Sequence, residues 1–342
     1  MTTAPTAASP AAAPAKKKLT TSAMIASIAS EGQRTRPAPF GHALAQLAEQ
    51  RPDIVGLTAD LAKYTDLHIF AQQHRERFFQ MGMAEQVLMG AAAGLAHEGF
   101  TPFATTYAVF ATRRAYDFIH QAIAEEGLPV KIAAALPGLT TGYGPSHQAT
   151  EDLALMRAIP GLTVIDPADA HELSQAVPAV AAHAGPVYMR LLRGQVPCVL
   201  DDYGYTFELG RAKMLREGRD VLIVSTGLMT LRALEVATDL QADAVDVGVL
   251  HVPTLKPLDE TSLLAACRRE GRLVVVAENH SIVGGLGEAL GSLLMRERVM
   301  PAGFRLASLP DEFLAAGALP TLHDRYGISR EVLATRIRGW LG

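Results

Sequence analysis

Polar side chains that could carry out chemistry follow several short apolar runs of this 342-residue chain. The most informative segment is 138–148, GLTTGYGPSHQ, in which three glycines and a proline lead to His147. Glycine permits tight or left-handed backbone, and a histidine on such a loop could transfer protons near neutral pH. A surface or helix-capping histidine is the alternative, and the loop alone leaves both open. A metal site formed by His147 and Glu151 lacks a third ligand.

A single carboxylate, Glu85, stands at the start of an apolar helix predicted over 85–97. Glutamate is favourable at a helix N-terminus, so capping is the simplest explanation. The sequence that follows, VLMGAAAGLA, predicts a fully buried helix, and a carboxylate that points into such packing needs a partner. Capping and function therefore both remain open for this residue.

Two arginines, Arg190 and Arg193, lie just past the carboxyl end of a predicted strand. Guanidinium groups there could bind a phosphate or carboxylate, and surface salt bridges are the alternative. Glycines at 284, 285 and 287 follow another predicted strand, but they do not meet the G-x-G-x-x-G spacing, so we predict a backbone turn.

The elements that position these residues alternate between strand and helix from about residue 19. This order predicts an α/β class of two consecutive domains with mostly parallel sheets flanked by helices. Ligands of parallel sheets bind at loops after the carboxyl ends of strands, where the polar residues above lie. A cluster of Pro, Asp and Gly at 197–205 predicts a break. The predicted division is a disordered Ala/Pro-rich arm at 1–20, a first domain at 21–200 and a second at 205–342. The main predicted helices are 39–50, 85–97, 111–125, 167–182, 228–240 and 286–295.

Composition indicates a soluble globular protein. Hydrophobic residues make up 49% and charged residues 19% of the chain, and no apolar run approaches the length of a membrane span. The net charge is −4 without a basic stripe, so no nucleic-acid or membrane partner is expected. The N-terminal arm ends in three lysines, the reverse of a secretory signal. Two scattered cysteines, Cys198 and Cys267, fit a reducing cytoplasm.

Several segments taken together resemble one family. GMAEQVLMGAAAGLAHEGFTPF, TTYAVFATRRAYDFIHQ, GLTTGYGPSHQATEDLALMRAIPGLTVIDPADAHE and GPVYMRLLRGQ look like the pyrimidine-binding domain of transketolases and deoxyxylulose-phosphate synthases. DVLIVSTGLMT and LVVVAENHSIVGGLGEAL are similar to their C-terminal domain. The resemblance covers nearly the whole chain after about residue 20, with the motifs in the family's order.

The resemblance implies a binding site for the aminopyrimidine end of thiamine diphosphate. Glu85 matches the glutamate that hydrogen-bonds N1′ and favours the 4′-imino tautomer, whose nitrogen takes the C2 proton. The cofactor is then the electron sink, and the protein sets tautomer and orientation. Tyr107 and Phe110 match aromatics that stack around the ring. Asp60 matches an acid near the cofactor, and Arg113 falls where transketolases commonly have another aromatic.

The resemblance also implies a sugar-phosphate site. His147 matches a histidine that contacts donor-sugar oxygens and assists proton transfer. Arg193 aligns with an arginine that binds the substrate phosphate, and Arg36 corresponds to a second one. Many transketolases bind sugar hydroxyls with an aspartate in this loop and an upstream His-Asp pair. This chain has other residues at those positions. The ordinary pentose-phosphate substrates are therefore not implied. The replacing residues are Tyr143 in the loop and Ala135 and Leu136 upstream.

The Gly-Asp-Gly…Asn motif, which binds the diphosphate through a divalent metal, would lie in a separate domain. No Gly-Asp-Gly occurs in this sequence, and the N-terminal arm is too short to contain that domain. We therefore expect a split enzyme in which an N-terminal transketolase subunit holds the diphosphate and Mg²⁺, assembled as an α2β2 heterotetramer. Such a pair would move a two-carbon ketol unit from a ketose phosphate to an aldehyde. The alternatives are the beta subunit of a 2-oxoacid dehydrogenase decarboxylase component and a non-catalytic scaffold.

Overall fold

The computed structural model describes Ala29 and residues 32–342, so the arm predicted at 1–20 lies outside the described residues. Strands and helices alternate, and the predicted class of mostly parallel sheets flanked by helices is confirmed. The helices are α1 Pro39–Gln50, α2 His68–Gln73, α3 Glu85–His97, α4 Ala108–Arg114, α5 Tyr116–Phe118, α6 Asp152–Ala158, α7 Ala170–Ala182, α8 Leu228–Gln241, α9 Glu260–Cys267, α10 Leu286–Arg296, α11 Leu319–Arg325 and α12 Arg330–Leu341. The strands are β1 Thr35–Pro37, β2 Ile54–Thr58, β3 Phe78–Gln80, β4 Thr101–Tyr107, β5 Lys131–Ala135, β6 Thr163–Ile165, β7 Val187–Leu191, β8 Gln195–Pro197, β9 Lys213–Arg216, β10 Val221–Ser225, β11 Val247–His251, β12 Thr254–Lys256, β13 Leu273–Ser281 and β14 Gly303–Leu309.

The larger sheet has the strand order β12-β6-β7-β5-β4-β2-β3. Its neighbours pair in parallel except at β12, which joins β6 antiparallel. Strands β2 (IVGLT) and β5 (KIAAA) are buried throughout, as expected for a parallel sheet covered on both faces. Consequently the carboxyl ends of five adjacent strands, β7, β5, β4, β2 and β3, lie along one edge.

The second sheet has the order β14-β13-β10-β11-β9, with only the edge strand β9 antiparallel. No free linker separates the two predicted domains. Strand β12 follows the predicted break yet belongs to the first sheet. Residues 197–205 also pack on the first half, because the Asp169 carboxylate accepts the backbone N–H groups of Val199 and Leu200. The domain boundaries themselves stay a prediction.

Two helix predictions need correction. The single helix predicted over 111–125 is α4, the short α5 and a π-helical segment, Ile119–Ala124. A π-helical turn accommodates an extra residue and shifts the register, which apolar spacing does not reveal. The helix predicted to start at 167 starts at 170, because the Asp169 side chain accepts the N–H of Glu172 and caps it.

Helix α3 is not fully buried, which corrects the expectation for VLMGAAAGLA. One face packs into the core through Leu88, Met89 and Ala92, whereas Val87 is 57% exposed. Small residues signal close packing, but they do not say whether the packing partner belongs to the same chain. Glu85, the first residue of the helix, lies on the buried face and points inward.

Candidate functional site

The predicted site residues lie along one edge of the larger sheet. Arg193 follows β7, the loop carrying His147 follows β5, Tyr107 ends β4 and Asp60 follows β2. Glu85 begins α3, five residues beyond the end of β3. Since these strands are parallel neighbours in the order given above, the topology brings the five residues to one edge.

Glu85 is a buried carboxylate with one charged partner. It is 2% exposed, and its Oε2 accepts a hydrogen bond from Arg114 Nη1 at 3.2 Å. Arg114 is itself half exposed and lies over the ring of Phe110 at 4.3 Å from the centroid. The buried carboxylate is therefore paired with a guanidinium that lies over an aromatic ring and that water can reach.

An aromatic cluster surrounds His147. The Phe110 ring centroid is 5.9 Å from that of Tyr107 and 5.5 Å from that of His147. Tyr143, in the same loop, lies 5.4 Å from His147 and is 40% exposed at the rim. Ser146 Oγ is 2.9 Å from His147 Nδ1, within hydrogen-bonding distance. The aromatic side chains offer flat apolar walls that suit a planar heterocycle. The imidazole of His147 suits proton transfer to a sugar oxygen.

Arg193 has unused hydrogen-bonding capacity. Its Nε and Nη2 atoms are buried without a hydrogen-bond partner, and its guanidinium lies 5.9 Å from the Tyr64 ring centroid. The neighbouring Asp66 accepts the N–H of Gly194 at 2.9 Å, and burial raises the pKa of that carboxyl. Buried unsatisfied guanidinium donors are costly, so this side chain is suited to receive an anionic group.

Arg113 does not face the rings. Its donors bind the carbonyls of Pro145 and Gln148 and the carboxylate of Glu151, so the structure places it against the loop that carries His147. Its assignment to the cofactor stays a prediction without a contact to support it.

Asp60 and Arg36 lie at the margins. Asp60 has a left-handed backbone, and its N–H donates to Gln80 Oε1 at 2.6 Å. The same oxygen accepts the N–H of Gly82, three residues before Glu85. Arg36 is exposed on β1, which pairs with β8, and it lines a groove with His42 between α1 and α7. Among the described residues, no contact joins Arg36 to the aromatic cluster.

Arg190 and the second glycine-rich turn are structural. Arg190 is 1% exposed and binds the carboxylates of Asp152 and Asp166. It therefore forms a buried salt bridge rather than the surface one considered, and its guanidinium is not available to bind a phosphate. The turn 284–287 covers Glu278, whose carboxylate accepts the N–H groups of Leu286 and Gly287.

Sequence reasoning missed Arg114, Tyr64 and Gln80. The i, i+4 spacing of Phe110 and Arg114 on one helix could have indicated their stacking. Tyr64 and Gln80 gave no local signal, because they meet the site only through tertiary contacts. Among residues 32–342, no group of three acidic, His or Cys side chains could hold a metal ion. No helix in the described part of the chain is long and apolar enough to cross a bilayer.

The comparisons with known proteins agree with this fold. Residues 34–199 match the family description "Transketolase, pyrimidine binding domain", and residues 210–333 match "Transketolase, C-terminal domain". The chain is 68% identical over 326 residues to the transketolase family protein y4mN of Sinorhizobium fredii, covering 95% of this chain and 94% of that protein. The chain belongs to the transketolase family. Within that family it corresponds to the C-terminal half.

Further relatives are more distant. The 6-deoxy-6-sulfo-D-fructose transketolase subunit SqwH of Clostridium sp. is 39% identical, with 84% of this chain and 88% of that protein covered. The match to 1-deoxy-D-xylulose-5-phosphate synthase 1 of Geobacter sulfurreducens is 35% identical and covers 88% of this chain but 47% of that enzyme. A solved split-gene transketolase, an inactive beta4 tetramer, superposes with a TM-score of 0.79 at 42% identity, covering 89% of this chain and 96% of that one.

Proposed function

We propose that this chain is the C-terminal subunit of a split, thiamine-diphosphate-dependent transketolase. The pair would transfer a two-carbon ketol unit from a ketose phosphate to an aldehyde acceptor. The observation that carries the proposal is the Glu85 carboxylate, 2% exposed and joined through Arg114 and Phe110 to the ring of His147. An aminopyrimidine requires a buried carboxyl group to share a proton with its ring nitrogen and aromatic side chains to contact its ring faces, and this site offers both.

The residues present fit the aminopyrimidine end of the cofactor. When bound, thiamine diphosphate supplies the nucleophilic carbon and the electron sink for ketol transfer. Glu85 would share a proton with the ring atom N1′, and Tyr107 and Phe110 would bind the ring faces. Arg114 would have to leave the carboxylate for this to happen, and its half-exposed side chain can do so at low cost.

The substrate side would use His147 and Arg193. His147 would hold or move a proton at a sugar oxygen, since its ring lies between Phe110 and Tyr143. Arg193 would bind the terminal anion with the Nε and Nη2 donors that have no other partner. The similar subunit SqwH is named for a sulfonated sugar, so phosphate and sulfonate termini both belong in the substrate panel. Arg36 is proposed as an outer phosphate contact.

The partner would be an N-terminal transketolase subunit that carries Gly-Asp-Gly…Asn, the diphosphate site and Mg²⁺. Two similar proteins support this. SqwH, of which 88% is covered, is named a subunit, and the similar split-gene structure is an inactive assembly of four beta chains. We propose an α2β2 heterotetramer in the cytoplasm, in which the catalytic site lies between chains.

The experiment is co-expression with an N-terminal transketolase subunit, followed by assays with several ketose phosphates, a sulfonated ketose and 2-oxoacids. Ketol transfer to an aldehyde is the expected result. Release of CO2 from a 2-oxoacid without ketol transfer would point instead to a decarboxylase beta subunit. A correctly assembled pair with neither activity would indicate a scaffold.

A further inference from the structure

Each of the three guanidinium nitrogens of Arg113 donates a hydrogen bond in or just after the loop that carries His147. Its Nη1 donates to the carbonyl of Pro145 at 3.0 Å, and its Nη2 donates to the carbonyl of Gln148 at 3.1 Å. Its Nε donates to Glu151 Oε1 at 2.5 Å. The two carbonyls come two residues before and one residue after His147, so a single side chain bridges the backbone on both sides of that ring.

Only arginine has the geometry for this contact. A guanidinium is planar and presents several N–H donors in fixed directions, whereas a lysine ammonium is a point charge on a flexible stem. Arg113 and Glu151 are each 36% exposed in their side chains. An ion pair with that exposure contributes little stability. The function of the contact therefore lies in the geometry it imposes on the loop rather than in its energy.

The other end of the loop is fixed by the second half of the chain. The N–H of Leu139 donates to Asn279 Oδ1 at 2.9 Å, and His323 Nε2 donates to the Leu139 carbonyl at 2.8 Å. Gly138 must be glycine, because its φ is +58° and a Cβ would lie 2.2 Å from the carbonyl oxygen of Asn279. The start of the loop is thus rigid. Its His147 end is held by Arg113 and by Gln148, whose Nε2 donates to the carbonyls of Thr141 at 3.3 Å and Ala315 at 3.2 Å.

Helix α4 provides the link between the loop and the rings. Phe110, one turn before Arg113 on α4, contacts the His147 ring at 5.5 Å between centroids. The same helix therefore sets both the aromatic wall and the backbone that holds His147.

We propose that Arg113 is a positioning residue that sets the place of His147 in the reaction. The inference rests on the proposed function of His147 in ketol transfer. This role differs from the predicted cofactor contact, since it requires Arg113 to touch neither substrate nor cofactor. It acts only through the backbone of residues 145 and 148.

The first test uses the assembled pair with the variants Arg113→Gln and Arg113→Lys, alone and combined with His147→Ala. Misplacing a reacting group by about 1 Å lowers rates about 100-fold. We expect kcat/KM for the ketose donor to fall about 10- to 100-fold in Arg113→Gln and by less in Arg113→Lys. In the His147→Ala background, Arg113→Gln should have no further effect. An equal loss in both backgrounds would overturn the proposal. Arg296→Gln, which breaks an exposed pair elsewhere, is the control and should change nothing.

The second test measures hydrogen exchange in the full chain without its partner. Loop amides at 146–148 should exchange faster in Arg113→Gln than in the wild type, while the amide of Leu139 and those of α7 stay unchanged. Unchanged exchange in the loop would overturn the proposal. This readout also separates the two hypotheses: an inactive wild-type pair contradicts the proposed function, and exchange still decides whether Arg113 holds the loop.

Discussion

Replacing Glu85 by glutamine removes one charge and almost no volume. Glutamine fills the same buried space, so no cavity forms. It leaves Arg114 without its counter-ion, but that side chain is 51% exposed and water can solvate it. The loss of the pair should therefore cost less than about 1 kcal/mol. The melting temperature should fall by no more than about 4 °C.

Activity should respond far more strongly. A positioned acid–base group contributes about 10²- to 10⁴-fold to a rate, and glutamine cannot share a proton with N1′ in the same way. We expect ketol transfer by the assembled pair to fall by at least about 10²-fold. Steady-state assays with a ketose phosphate, run beside thermal melts of the same preparation, measure both quantities.

A matched control lies at the other end of the same helix. Glu98 follows α3 with an exposed side chain, and Glu98→Gln should leave both activity and melting temperature unchanged. Near-normal activity in Glu85→Gln would remove Glu85 from the mechanism. A melting temperature lowered by much more than about 4 °C would show that activity is lost through the fold instead.

Three further predictions concern binding and stability. Arg193→Gln should raise the KM for the ketose phosphate about 10- to 100-fold, since a charge-assisted hydrogen bond is worth about 1.5–3 kcal/mol; an unchanged KM would remove Arg193 from the anion site. Arg190→Gln should lower the free energy of unfolding in urea by about 3–5 kcal/mol, because it leaves Asp152 and Asp166 buried without their cation; a change below about 1 kcal/mol would show that the pairing is unimportant. Burial, with the nearby Arg232, lowers the pKa of His323 from 6.5 to about 3. The folded chain therefore binds fewer protons than the unfolded chain between these values, and its stability should fall as pH drops below 6.5, by about 1.4 kcal/mol per pH unit. His323→Asn should flatten that dependence in urea titrations at pH 7 and pH 5, and an equally steep dependence in the variant would assign it to another group.

The location of the site at one edge of the sheet was predictable from the sequence, because the carboxyl ends of parallel strands lie together. Tyr107 and His147 each follow a recognisable apolar run, so their gathering needed only the topology. Glu85 was recognised only as the first residue of a helix, because the three-residue strand β3 before it was not predicted. The contact between Glu85 and Arg114 was not predictable, since it depends on how α4 packs beside α3.

Other features depend on distant parts of the chain. Leu139 meets Asn279 across 140 positions of sequence, and no local pattern encodes such a pairing. The exposed face of α3 was also missed, because Gly and Ala mark close packing without saying what packs there. The replacement of an aromatic by Arg113 was visible in the sequence, but its use as a loop clamp required the structure.

The most direct test of the split enzyme compares ketol transfer by this chain alone, by an N-terminal transketolase subunit alone, and by mixtures in increasing ratio. All samples contain thiamine diphosphate and Mg²⁺. If the catalytic site lies between chains, neither chain turns over alone and activity saturates at a one-to-one ratio. Turnover by this chain without any partner would rule out the split arrangement.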